Sequence, residues 1–340
     1  GEVYLNGSKV VGFEGMFKPV TIDVTEKLVT GEKENLLEVV FFQVPEIDGQ
    51  IGYSHTIDSF KSRFNYAWDW CPRIVPVGIW KDVYLRTNRQ LQVDTFYPET
   101  DVAADLKTGI INYHVEVNSY IAKEYSVEYS LKDDHGTEVY HNEEKVTILG
   151  GKRNITHTAT IDDIELWWPN GYGNQPIYET MLMIKNQSGK ICDYVSKKVG
   201  FRKVNYKQNT NAPKDSLPYT VIINGKRVFL KGVNWVPITP FYGSLKSEDY
   251  ANYLGRFKHM NANLIRVWGG AIIEKEDFYE YCDKNGLLVW QEFLQSSSGI
   301  SNTPPNNPKV LEELQEISKL AIFEKRSHPS LIIWCGGNEL

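Results

Sequence analysis

The sequence has 340 residues, a length that anticipates two or three domains. Its 37 basic and 43 acidic side chains leave a net charge of −6, so nothing in the charge favours nucleic acid or an anionic membrane as partner. With 41% hydrophobic and 24% charged residues the composition excludes wholesale disorder, and no apolar run nears the roughly 18 residues of a membrane-spanning helix. No basic-then-apolar signal segment opens the chain. Gly1 stands inside a strand pattern and Leu340 directly follows Asn338-Glu339, so both ends are expected to be cut ends.

Residues 1–87 read as β structure. Val3-Tyr4-Leu5 runs into the turn Asn6-Gly7, a strong hairpin signal, before Val10-Val11. Leu36–Phe42 and Asp82–Leu85 read as further strands. Residues 88–204 continue with alternating strands such as Val115-Glu116-Val117 and Val127–Leu131, broken by turns at Asp134-His135-Gly136 and Ser188-Gly189, as in a sandwich of about 100 residues. No helical period stands out before residue 245.

In residues 205–340 the period changes. Val228–Leu230, Leu264–Val267, Leu287–Trp290 and Leu331–Trp334 are short apolar runs of the doubly buried kind. The first helix between them is expected to open at Ser247 as N-cap and to bury Tyr250, Leu254, Phe257 and Met260. The second is expected over Glu274–Lys284 and stops at Asn285-Gly286. The third starts after Pro308, repeats Leu311, Leu314, Ile317 and Ala321, and ends before His328-Pro329. Strand–helix alternation with right-handed crossovers gives a parallel sheet, either doubly wound or a barrel. A (β/α)8 barrel takes eight such units and about 250 residues; the four units after Pro218 are half of one.

The ends of all four apolar runs carry groups suited to chemistry. Ligand sites of parallel α/β folds lie at the carboxyl ends of the strands, which is where Asn338-Glu339 falls, after the turn-forming Gly336-Gly337. Glu339 there suits a general acid and Asn338 a hydroxyl ligand, although a solvated loop pair reads the same way. Arg266 and Trp268 close the second run and suit a carboxylate-orienting cation and an aromatic platform, or equally an ion pair and a packed ring. Gln291-Glu292 and Asn234-Trp235 are weaker. Upstream, Trp68-Asp69-Trp70-Cys71-Pro72-Arg73 sets an acid between two indoles; it suits sugar hydroxyls, but also a packed corner in which Asp69 pairs with Arg73. Cys71, Cys192, Cys282 and Cys335 are far apart and read as small buried hydrophobes. Gly171-Tyr172-Gly173 lacks the third glycine of a dinucleotide loop, and no Walker sequence, HExxH or nucleophile elbow occurs.

Taken together, these segments resemble glycoside hydrolase family 2, above all its β-mannosidase branch. The resemblance rests on Leu5-Asn6-Gly7 with Gly15–Pro19, on Trp68–Arg73 followed by Val77-Gly78-Ile79-Trp80, and on Leu166–Gly173 with Val199-Gly200-Phe201-Arg202. Ile223–Lys226 with Leu230–Trp235, the Arg266 segment and Asn338-Glu339 complete it. Cys71 for glycine, Ala271 for a third glycine and Glu292 for aspartate depart from the family pattern. The resemblance implies a multidomain β and α/β chain: part of a jelly-roll (1–87), an immunoglobulin-like sandwich (88–204) and the N-terminal half of a (β/α)8 barrel (205–340). It implies retaining exo-hydrolysis of terminal β-linked sugars, most closely β-mannosides, with β-galactosides, β-glucuronides and β-glucosaminides as neighbouring classes and no cofactor. Glu339 would be the acid/base, Asn338 would bind the hydroxyl on the sugar's second carbon, and Arg266 would steady the nucleophile. Trp268 and Trp68 would line the sugar subsite, and Asp69 would hold distal hydroxyls. The nucleophile would lie beyond Leu340, so the 340 residues alone are expected to be inactive; Glu292 is not expected to take that role. The partner expected is an oligosaccharide or glycoside. The reading of another class is a non-catalytic carbohydrate-binding protein. Unpaired edges at the first and fourth barrel strands are expected to favour self-association.

Overall fold

A computed structural model describes residues 1–48, 51–87 and 90–340. Asn6 and Gly7 both adopt positive φ, 52° and 77°, and so twist the hairpin in the sense that strands prefer. It joins β1 (Glu2–Leu5) to β2 (Ser8–Gly12), and β3 (Leu37–Val40) pairs on the other side of β1. The expected strand at Asp82–Leu85 does not form. Val83, Tyr84 and Leu85 are exposed and have no neighbouring strand among the described residues, and β propensity without a partner strand does not make a sheet. Two residues, β4 (Gly52–Tyr53), and single 3₁₀ turns at Ser54–Thr56 and Arg63–Tyr66 carry the chain onward. The expected second domain opens at Asn88; Asn88 and Arg89 lie outside the described residues.

Seven antiparallel strands then build a two-sheet sandwich: β5 (Leu91–Val102), β6 (Gly109–Ser119), β7 (Lys123–Lys132), β8 (Glu138–Ile148), β9 (Gly151–Ile161), β10 (Tyr178–Asn186) and β11 (Ile191–Val199). One sheet runs β5-β6-β9, the other β11-β10-β7-β8. Strict alternation sends Ile111, Tyr113, Val115 and Val117 of β6 into the same buried core as Tyr125, Val127, Tyr129 and Leu131 of β7.

A small antiparallel sheet follows: β12 (Val204–Lys207), β13 (Thr220–Ile223) and β14 (Lys226–Arg227). It accounts for a correction. Val228–Leu230 is not the first barrel strand: Val228 is buried beside Val221 and Ile223, whereas Phe229 is 73% exposed. The first parallel strand is β15 (Gly232–Trp235), followed by α1 (Ser247–His259), β16 (Leu264–Val267), α2 (Glu276–Asn285), β17 (Leu288–Glu292), β18 (Gly299–Ser301), α3 (Pro308–Lys325) and β19 (Leu331–Cys335). The parallel sheet runs β15-β16-β17-β19 without reversal, the sequence of a barrel wall rather than of a doubly wound sheet. Ile265, Val267 and Val289 pack with Tyr250, Leu254, Phe278 and Cys282 of α1 and α2, while Leu264 and Leu288 meet Trp167, Val221 and Ile223 in a separate cluster.

The helix termini refine the expected ones. Lys246, not Ser247, caps α1, and its amide donates to Asp249 Oδ2 at 2.9 Å; Ser247 is the first helical residue and donates its hydroxyl to Asp277. Met260 ends that helix in solvent, 69% exposed, and Leu311 of α3 is likewise exposed while Val310 is buried in its place. α2 begins at Glu276, because Glu274 is buried as an acceptor for Trp235 Nε1 (2.9 Å) and Tyr250 Oη (2.8 Å). Gly286 ends α2 at φ 67°; a Cβ there would lie 2.4 Å from the Asn170 nitrogen. All four cysteines are free. Among the described residues, no helix is long and apolar enough to cross a membrane.

Sandwich and barrel are joined at the amino ends of the parallel strands. Trp167, fully buried, donates Nε1 to the Asp283 carbonyl at 2.8 Å, and its own carbonyl accepts from Asn224 Nδ2 at 3.0 Å. The Asp283 carboxylate accepts from His328 Nδ1 (2.6 Å) and from the amide (3.0 Å) and hydroxyl (2.6 Å) of Ser330; His328 Nε2 lies 3.1 Å from Glu276. Burial disfavours a charged His328, but Asp283 and Glu276 outweigh it and lift its pKa to about 9. Because the native pKa exceeds the unfolded value near 6.5, this stabilisation is complete below about pH 6.5 and is lost as the pH rises through about 9. We therefore predict that the unfolding free energy from urea titration falls between pH 7 and pH 9.5, by at most about 3 kcal/mol, and that His328→Gln flattens that dependence. An unchanged pH profile in the variant would contradict the assignment.

Candidate active site

The carboxyl ends of the four parallel strands converge on one guanidinium. Arg266 of β16 donates Nε to Glu292 Oε1 of β17 at 2.8 Å, Nη1 to Asn234 Oδ1 of β15 at 3.1 Å, and Nη2 to Asn338 Oδ1 just beyond β19 at 2.7 Å. Glu292 is 1% exposed, and its second oxygen accepts the Gly269 amide at 2.8 Å. Both of its oxygens are thus engaged, as befits an anchor for Arg266 rather than a free nucleophile.

Asn338 is 7% exposed and held on every polar side. Its amide donates to the Gln295 carbonyl (3.0 Å), its carbonyl accepts the Ser297 amide (2.8 Å), and Nδ2 reaches Ser296 Oγ (3.4 Å). The preceding Gly337 passes so close to Gln295 that a Cβ would lie 2.8 Å from its side chain. Glu339 follows at φ 53°, exposed, and its Oε2 accepts the Ser297 hydroxyl at 3.1 Å. Sequence reasoning passed over Ser296-Ser297-Ser298, three buried serines in the loop after the third strand; three successive polar residues there were the available signal. It also passed over Arg63 and Asp48, 4% and 3% exposed. Burial pushes the Asp48 carboxyl up to about 7 while Arg63 pulls the other way.

Trp68–Cys71 is a tight turn closed by two backbone hydrogen bonds between Trp68 and Cys71. It leans on the barrel through Trp268: the Trp68 and Trp70 rings lie 6.3 and 6.1 Å from it, centroid to centroid. Trp268 is consequently 7% exposed, while Trp68 is half-buried and Asp69 and Trp70 are exposed. The packed-corner ion pair does not form; Arg73 donates to the Glu46 carbonyl and covers the Tyr66 ring instead. The structure thus brings Arg266 and Asn338 together at the strand ends, sets Glu339 beside Asn338 through Ser297, and packs Trp68 on Trp268, while Asp69 is exposed on the turn. The turn is entered through Ala67 at φ 99° and ψ 144°, a region that side chains avoid and that costs about 1–3 kcal/mol. Ala67→Gly relieves that strain against a backbone-entropy penalty of about 0.5–1 kcal/mol, so a net gain of about 1 kcal/mol in thermal or urea unfolding is expected. A loss of stability would show that Ala67 is not strained.

Three family models match in succession: the glycosyl hydrolase 2 galactose-binding domain-like model over residues 1–81, the glycosyl hydrolases family 2 model over 91–202, and the TIM barrel domain of glycosyl hydrolases family 2 over 218–340. The chain is 31% identical to the Beta-mannosidase B of Neosartorya fischeri and to that of Aspergillus fumigatus, across 99% of its own length and 40% of theirs. It therefore spans about 40% of the length of the curated relatives it matches. The Beta-D-Mannosidase of Dictyoglomus thermophilum superposes with a TM-score of 0.85 at 28% identity, over 99% of this chain and 41% of that one. The exo-chitosanase CsxA of Amycolatopsis orientalis shares the fold, with a TM-score of 0.74 at 19% identity over 98% of this chain and 37% of that one. With its three domains in family order, the chain belongs to glycosyl hydrolases family 2.

Proposed function

We propose that these residues form the acid/base and sugar-binding side of a retaining exo-β-glycosidase whose substrates are β-mannosides, divided as 1–87, 88–204 and 205–340. The observation that carries this reading is Asn338-Glu339 at the end of the fourth parallel strand, with Asn338 fixed by Arg266 and the Glu339 carboxylate directed by Ser297. Glu339 protonates the departing glycosidic oxygen and then takes a proton from the attacking water. Asn338 hydrogen-bonds the sugar's second hydroxyl, Trp268 and Trp68 back its apolar face, and Asp69 receives distal hydroxyls. A retaining mechanism needs a second carboxylate about 5–5.5 Å away as nucleophile, and two carboxylates suffice without a cofactor. Glu292 is already bound to Arg266 and Gly269, and on the family resemblance we place that second carboxylate on a later barrel strand, outside the 340 residues.

With the full-length gene product, aryl β-mannoside should be hydrolysed faster than the β-galactoside, β-glucuronide and β-glucosaminide, while the 340-residue chain turns over none of them. Glu339→Gln should lower kcat by about 10²–10⁴-fold. Preference for another sugar would redirect the substrate assignment. Unchanged sugar affinity with no activity to lose would favour a carbohydrate-binding protein.

β15 and β19 each pair on one side only among the described residues, and the 340-residue chain is expected to associate through these edges. The sedimentation coefficient should rise with concentration from nanomolar to micromolar; a constant monomer value would rule this out.

A further inference from the structure

We infer that Arg63, on the N-terminal domain, is a positioning residue for the site at the barrel strand ends, fixing the loop on which Asn338 and Glu339 hang. The inference rests on the glycosidase reading and names a residue that no barrel strand carries. Arg63 opens a 3₁₀ turn, is 4% exposed, and donates Nη1 to the Ser296 carbonyl. That carbonyl also accepts the Ser54 hydroxyl at 3.4 Å.

Ser296 belongs to the stretch after β17 that pairs with the chain after β19. Its Oγ accepts Asn338 Nδ2, the Gln295 carbonyl accepts the Asn338 amide, and the next residue, Ser297, gives its amide to the Asn338 carbonyl and its hydroxyl to Glu339. The guanidinium therefore sits one carbonyl away from the residues that hold Asn338 and Glu339. Hydrogen bonds to main-chain carbonyls keep the two domains in register around it. Gly52 donates its amide to the Ser298 carbonyl at 3.0 Å, Ser298 Oγ donates to the Gly52 carbonyl at 2.6 Å, and Phe64 donates its amide to the Gly270 carbonyl at 3.1 Å. Asp48, buried beside Arg63, supplies the opposing charge that makes a guanidinium tolerable at this depth.

A planar guanidinium at a buried carbonyl fixes direction as well as distance, and a shorter ammonium does not reproduce it. Loss of the contact lets the Ser296–Ser298 loop shift, and a displacement of about 1 Å at an acid/base group can cost on the order of 10²-fold in rate. The cost falls on the step that needs the acid. A leaving group that departs without protonation feels it least.

The test compares Arg63→Gln and Arg63→Lys in the full-length gene product, using an alkyl β-mannoside and a dinitrophenyl β-mannoside. Arg63→Lys keeps a charge opposite Asp48 should Arg63→Gln fail to fold. We expect kcat to fall by on the order of 10–10² for the alkyl glycoside and by severalfold less for the activated one, with faster amide exchange at Ser297 and Asn338 in the same variants. Equal losses for both substrates, as partial unfolding would give, or unchanged exchange at Ser297 and Asn338, would overturn the inference. Wild-type protein that hydrolyses no glycoside would defeat the functional reading instead, and the exchange comparison would still decide whether Arg63 holds the loop.

Discussion

The upper end of the barrel wall depends on the guanidinium of Arg266. Its donors are divided among Glu292, Asn234 and Asn338, so that all four parallel strands, its own included, meet at one planar group. Such an arrangement tolerates little variation. The fork of a guanidinium reaches three acceptors at fixed angles, whereas an ammonium on a flexible stem would satisfy them only by turns. Glu292 completes the logic: nearly fully buried, it neutralises the cation and takes the Gly269 amide with its other oxygen, tying the loop after the second strand to the end of the third. Asn338 is thereby held in one orientation by groups of the protein itself.

The two ends of the barrel wall are fastened to the rest of the molecule by different means. At the amino ends, Trp167 and the Asp283–His328–Ser330 cluster join sandwich and helices through a buried indole and a satisfied charge network. Residues at that face of a barrel serve stability. At the carboxyl ends, the N-terminal domain approaches through main-chain bonds, a buried Arg63 and the tryptophans that cover Trp268. That side joins the candidate chemistry to a second domain, so the shape of the site belongs to two folding units.

Much of this was legible in residue order. Asn6-Gly7, Asn285-Gly286 and Pro308 carry their conformations in their own chemistry, and the apolar runs at Leu264, Leu287 and Leu331 became the second to fourth parallel strands because nothing but a doubly covered sheet buries such runs. The first strand was misplaced because Val228–Leu230 and Gly232–Trp235 are adjacent apolar stretches, and only the β12-β13-β14 sheet distinguishes them. Asp82–Leu85 was misread because propensity carries no information about whether a partner strand exists. Around the candidate site, Arg266 near the end of the second strand and Asn338 and Glu339 after the fourth could be located from residue order, whereas Ser297 and Arg63 could not, since their contacts are made across 42 and 233 residues of chain.

The parallel pairing of β18 with β4, and the bonds between Gly52 and Ser298, have a consequence for biosynthesis. Ser54 leaves the ribosome 242 residues before its acceptor on Ser296. At ~5–20 residues per second, that delay is on the order of ten to fifty seconds. Over most of it Arg63, Asp48 and the Trp68–Trp70 turn have no barrel strand ends to rest on. The order of synthesis makes the assembly of this corner a non-local event in folding, in which two tryptophans and two charged side chains wait for partners far along the chain.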